Sequence, residues 1–163
     1  MSPIPLAQQR IERLGLVPHP EGGFYREFFR STAHVQPADG RGERCALTAI
    51  HFLLPQGAHS RWNEVRSDEQ WTFLEGAPLE LYLFTLGATA AQRIRLGPLA
   101  DGGVPTCVVP AGAWQAARAR AAFTLVTCTV GPGFDFADFR LLADEPELAR
   151  RIARAEPELA GLL

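Results

Sequence analysis

The chain has 163 residues, of which 47% are hydrophobic and 21% charged, and its formal net charge is −2. That length is about one domain's worth, and the composition disfavours both disorder and coiled coil. The near-neutral charge gives no electrostatic ground for a nucleic-acid or anionic-membrane partner, and no run of about 18 apolar residues signals a membrane span.

The first 16 residues, MSPIPLAQQRIERLGL, lack a basic segment followed by an apolar run, so export is not signalled. Leu6, Ile11 and Leu14 recur among polar residues and predict a short amphipathic helix over residues 5–16, ending at Gly15. The segment VPHPEGG breaks it, and the aromatic FYREFF that follows reads as a strand. Residues 45–54, CALTAIHFLL, form a nearly continuous apolar run stopped by Pro55 and Gly57, as expected for a strand covered on both faces.

Further short strands are predicted at 69–74, 79–85, 92–96, 106–109, 114–117 and 123–130, with Gly and Pro between them. Many short strands so punctuated argue for an all-β sandwich or barrel, here over about residues 20–142. The Ala-, Glu-, Leu- and Arg-rich stretch at 145–160 predicts a C-terminal helix, broken near Pro157. No linker or internal repeat interrupts the chain, which reads as a single domain over 1–163. Cys45, Cys107 and Cys128 are odd in number and show no CxxC spacing, so they read as reduced, mostly buried thiols of a cytoplasmic protein.

Two motifs sharpen the barrel. Six residues separate Glu69 from Gly76, the spacing of the acidic residue and glycine in a cupin strand, and Pro110-Ala111-Gly112-Ala113-Trp114-Gln115 has the P-x-G-x-x-H shape with Gln in the last place. With the flanking blocks HPEGGFYRE, TAIHFLLP, SDEQW, VPAGAWQAA and PGFDFADF, in that order, the chain resembles the cupin 5 family of RmlC-like cupins from about Leu14 to Leu142. The resemblance implies a double-stranded β-helix, the cupin jelly roll, commonly assembled as a homodimer, with short helices at both ends. Family members usually have histidine where this chain has Asn63 and Thr72, a different residue at Glu64, and an aromatic residue at His51; Gln115 is ordinary for the family.

Those departures bear on the chemistry. A first-row metal in a cupin pocket is usually held by imidazoles and a carboxylate, and of the four positions in the general pattern only Glu69 is a good ligand here. A replacement set drawn from His51, Glu69, Glu64 or His59 is not required by any spacing, so no cofactor is expected. Without a metal, Glu69 is an acid in a partly apolar cavity lined by Trp71, Phe73 and Trp114, where burial raises its pKa.

If His51 points inward it pairs with Glu69 as a general acid/base dyad; strand parity leaves its direction open, because both faces of 48–54 are apolar, and the alternative is a core histidine. Asn63 and Gln115 are candidate substrate donors, and Tyr25 and Arg26 candidates to meet an anionic ligand at the barrel mouth, although a structural salt bridge serves equally for Arg26. The leading functional expectation is an isomerase-, epimerase- or lyase-type enzyme acting on a small polar molecule, with Glu69 and His51 as proton-transfer groups. The alternatives are a non-catalytic binding or sensor cupin and a metal-dependent enzyme with an atypical ligand set.

Overall fold

The structure, a computed structural model, describes residues 5–163. Helix α1 (Leu6–Leu14) comes first and ends at Gly15. Thirteen strands follow: β1 (Val17–Pro18), β2 (Phe24–Arg30), β3 (His34–Val35), β4 (Arg44–Cys45), β5 (Thr48–Leu54), β6 (His59–Val65), β7 (Asp68–Gly76), β8 (Leu79–Phe84), β9 (Gln92–Leu96), β10 (Thr106–Val109), β11 (Trp114–Arg118), β12 (Thr124–Gly131) and β13 (Phe139–Leu141). Helix α2 (Pro146–Ala155) and a 3-10 turn (Pro157–Leu162) close the chain. No helix among the described residues is long and apolar enough to cross a membrane.

Two antiparallel sheets, in the orders β1-β2-β5-β12-β7-β10 and β13-β6-β11-β8-β9, hold all strands except the β3-β4 ribbon. From β5 to β13 the chain passes back and forth between the sheets, departing from strict alternation only at the β8-β9 hairpin. This is the expected double-stranded β-helix. Strand β6 is not among the strands the sequence predicts, because HSRWNEV has little apolar character; pairing with β11 on one side and β13 on the other holds it extended. The C-terminal helix breaks at Glu156, because Pro157 has no N–H to continue the ladder, and the Glu156 carboxylate accepts the Ala91 N–H at 2.6 Å.

Side-chain alternation sorts the strands into three apolar layers. Between the sheets, Phe52, Leu54, Trp71, Leu79, Leu81, Leu83 and Val126 fill one half of the barrel. Outside the smaller sheet, Trp62, Tyr82, Phe84 and Trp114 are covered by Ile152, Leu159 and Leu162. Outside the larger sheet, Leu53, Phe123 and Leu125 are covered by Leu16 and by Ile11 and Leu14 of α1. The other half of the barrel is not filled.

Candidate active site

The unfilled half is a cavity of about 780 Å³ between the two sheets. Strand β7 contributes Glu69, β12 Cys128 and Val130, β5 Ile50 and Phe52, and β6 Asn63 and Val65. The loop before β2 adds His19 and Glu21, and the segment around the 3-10 turn Phe136–Asp138 adds Phe134, Phe136 and Phe139.

Glu69 and Glu21 are both buried at the base of this cavity. Gln115 Nε2 donates to Glu69 Oε2 at 2.5 Å and to Asn63 Oδ1 at 3.3 Å, while Gln115 Oε1 accepts from the Trp71 indole N–H at 3.0 Å. Asn63 Nδ2 in turn donates to the Arg61 carbonyl at 2.8 Å and to Ser60 Oγ at 3.4 Å, and the Ser60 hydroxyl hydrogen-bonds Glu21. A continuous chain of side chains therefore joins the two carboxyl groups. It also fixes the amide orientations, because each nitrogen and oxygen has a partner that suits only one flip.

The two acids differ in environment. Desolvation pushes Glu21 up to about 8, the negative charge of Glu69 adding to the effect and the Ser60 hydrogen bond opposing it. Desolvation also raises Glu69, but hydrogen bonds from Gln115, Cys128 and Trp71 act in the opposite direction and favour its ionised form. Both carboxyl groups are therefore raised and lie on one hydrogen-bonded chain, and the hydrogen bonds to Glu69 oppose its shift more than the single bond from Ser60 opposes that of Glu21. His19 is pushed down to about 4 by burial and is neutral. Its Nδ1 accepts the Glu21 backbone N–H at 3.2 Å, which leaves the ring hydrogen on Nε2.

Local geometry explains how Glu21 reaches the cavity. The HPEGG turn docks on the start of β6: Arg61 N–H donates to the Glu21 carbonyl at 2.6 Å, and Arg61 Nη2 to the Pro20 carbonyl at 2.8 Å. Gly22 permits this approach. Its φ is 111°, and a Cβ there would lie 2.4 Å from the His59 carbonyl oxygen. His19 then packs edge-on against Tyr25 (centroids 4.5 Å apart), Phe52 and Phe139, and lies nearly parallel to Phe136.

Several residues expected in the site lie elsewhere. His51 is on the outer face of β5: Ile50 and Phe52 face the cavity, so alternation turns His51 outward, where it stacks on Phe28 at 4.4 Å. The Glu69–His51 pair is not formed. Phe28 is available there because β2 carries a bulge between Glu27 and Phe29. Trp114 also faces outward, beneath the C-terminal helix, because its neighbour Gln115 takes the inward position. Trp71 and Phe73 point between the sheets but belong to the filled half and do not border the cavity. Tyr25 and Arg26 do border it, and Asn63 and Gln115 sit at its base as holders of the carboxyl groups.

Sequence reasoning missed Glu21, His19 and the cavity-facing position of Cys128. The available signal was a histidine and a glutamate flanking Pro20 ahead of a Gly-Gly turn, inside the HPEGGFYRE block. Cys128 was expected to be a buried thiol; it is buried and free, borders the cavity beside Glu69, and its pKa is driven well up by desolvation and the nearby carboxylates.

The replacement ligands that the sequence offers are not assembled around Glu69, and His59 does not line the cavity. Asn63 and Gln115 are amides engaged with each other, Glu64 faces outward and is ion-paired with Arg140, and His51 is on the other side of the sheet. Among the described residues no group of three or more His, Cys, Asp or Glu side chains is placed to hold a metal ion.

Two sheets wound as a double-stranded β-helix, with a ligand-sized cavity at one end, define a cupin. The sequence matches the family model described as Cupin superfamily (DUF985), cupin 5, over residues 8–142. The chain belongs to this family. Among solved structures it is similar to a protein of Shewanella oneidensis (33% identity, TM-score 0.83, covering 96% of each chain) and to a hypothetical protein from Leishmania major (31% identity, TM-score 0.78, covering 91% of this chain and 97% of the other). An oxalate decarboxylase of Bacillus subtilis, with 14% identity and a TM-score of 0.58 over 90% of this chain and 36% of the other, shares the fold alone. No curated protein matches.

Proposed function

We propose that this cupin is an enzyme that moves a proton on a small polar molecule held in the barrel cavity, in a reaction of the isomerase, epimerase or lyase type. The observation that carries the reading is the pair of buried carboxyl groups, Glu21 and Glu69, joined by the Ser60-Asn63-Gln115 chain and held in different hydrogen-bonding environments. Glu21 takes the place expected for His51. In this scheme the Glu69 carboxylate removes a proton from a carbon next to a carbonyl, and the C–H electron pair becomes the C=C bond of an enol. Glu21 gives its proton to the carbonyl oxygen as the C=O π bond breaks. Where the first carbon also carries a hydroxyl, the intermediate is an enediol. Return of a proton to the former carbonyl carbon, as that hydroxyl gives up its proton and becomes the new C=O, gives an isomer, whereas return of a proton to the opposite face of the first carbon, as the enol O–H returns its proton to Glu21, gives an epimer.

Deuterium exchange tests this whichever product forms. The protein is incubated in D2O with a panel of hydroxy-ketones, hydroxy-aldehydes and keto acids, and deuterium entry at the carbon next to the carbonyl is followed by NMR. Exchange that disappears in Glu69→Gln and falls at least about 100-fold in Glu21→Gln supports the reading. Exchange that survives Glu69→Gln ends it. A binding or sensor role is favoured by one observation, that both N–H donors of Asn63 and of Gln115 are already engaged, so neither amide has a donor to offer a reacting substrate. It predicts a ligand that raises the melting temperature without any exchange.

A further inference from the structure

The cavity is not uniform from base to mouth. At the base are Glu69, Glu21 and Asn63, with no cation; among the described residues, the only two lysine or arginine residues that line the cavity are Arg26 and Arg30, both on β2. Arg30 is committed: Nε and Nη2 donate to the two oxygens of Glu27, each at 2.8 Å, and Nη2 also donates to the Phe134 carbonyl at 3.2 Å. The Arg26 side chain has no hydrogen bond or ion pair to any described residue. By register with His51 it starts on the outer side of β2, and its guanidinium extends to the edge of the cavity beside Gly15. Space is left for it there, since a Cβ on Gly15 would sit 2.4 Å from Nη1. Two carboxylates also border the mouth: Glu27, paired with Arg30, and Asp135, whose Oδ1 accepts the Ala137 N–H at 2.8 Å as the cap of the following turn.

We infer that the substrate is a small carbonyl or sugar-like compound carrying an anionic tail, a phosphate or a carboxylate, bound with the tail at Arg26 and the neutral reacting end on Glu21 and Glu69; this rests on the proton-transfer reading above. The base offers an anion two carboxyl groups and amides already engaged with one another, and no cation. A guanidinium without a partner at the rim is the complementary group, since its planar fork suits both phosphate and carboxylate. Between the two ends, His19, Tyr25, Phe52 and Phe139 form an apolar wall suited to the carbon skeleton.

Calorimetry on the full chain with matched pairs tests this: fructose 6-phosphate against fructose for the phosphate arm, galacturonate against galactose for the carboxylate arm. In at least one arm the charged member binds about ten-fold tighter than its neutral twin, and the advantage shrinks as salt is raised. Arg26→Gln abolishes the advantage and leaves the neutral twin's affinity unchanged, whereas Arg26→Lys retains part of it. Arg26 is exposed and unpaired, so its variants keep the parent's melting temperature and any loss reports on binding. Equal binding of both twins in both arms, an advantage that survives Arg26→Gln, or no binding by either charged probe overturns the inference. Because binding is read separately from deuterium exchange, discrimination without exchange overturns the proton-transfer reading alone, and exchange without discrimination overturns the anionic tail alone.

Discussion

The two halves of the barrel interior are built from the same strands and have opposite contents. On β7, Trp71 and Phe73 point into the half that is filled, and Glu69, two residues earlier on the same face, points into the half that is open. On β5, Leu54 lies in the filled half, Thr48 and Ile50 line the cavity, and Phe52 borders both. The boundary is the Trp71 indole, whose N–H reaches across to Gln115 and through it to Glu69. The packed half thus acts as the rigid support from which the polar base is held, with the Asn63 and Gln115 amides tied to one another and to Glu69.

Three changes break or sharpen that contrast. The largest effect is expected from Trp71→Ala, which empties part of the filled half and removes the donor that orients Gln115; it costs about 3–5 kcal/mol of stability in denaturant unfolding.

A smaller effect follows from the raised acid. Because Glu21 titrates near 8 when folded and near 4.5 when unfolded, the folded state binds the extra proton in that window, and stability falls as pH rises through it. His19, near 4 when folded and 6.5 when unfolded, acts in the opposite direction between those values. The two therefore offset each other below about pH 6.5, and the net loss is confined to pH 6.5–8. Glu21→Gln removes that loss and raises the melting temperature at pH 8 by roughly 5 °C relative to the parent, with little gain at pH 5. Equal shifts at both pH values would show that Glu21 is ionised throughout.

The smallest effect is expected for His51→Phe. Its imidazole is stacked on Phe28 on the outer face and makes no contact with the cavity, so stability changes by no more than about 1 kcal/mol and deuterium exchange is unaltered. Loss of exchange in this variant would return His51 to the chemistry and displace Glu21 from it.

The strand pattern and its Gly and Pro punctuation were enough for the all-β architecture, and the spacing of Glu69 to Gly76 with the PAGAWQ block was enough for the cupin family. Glu69 was also recognisable as a cavity group, since it stands where the family places its acidic residue. Trp114 was misread although the information to place it was present: Gln115 and Trp114 are neighbours in one strand, and only one of two neighbours can face inward. His51 is a different case. Its strand is apolar on both faces because α1 covers one side and the barrel interior the other, so alternation separates two faces without saying which is inside.

Local pattern, then, was sufficient for the fold, because period-two alternation and turn chemistry act over a few residues. The identity of Glu69's partner was beyond it. Glu21 lies on a different segment and reaches the cavity only because Gly22 lets the HPEGG turn settle against the His59 backbone, while Gln115 reaches Glu69 from the opposite sheet. Contacts of that kind depend on the sheets' mutual packing and on burial, which also raises both acids, and neither is encoded in any short stretch of chain.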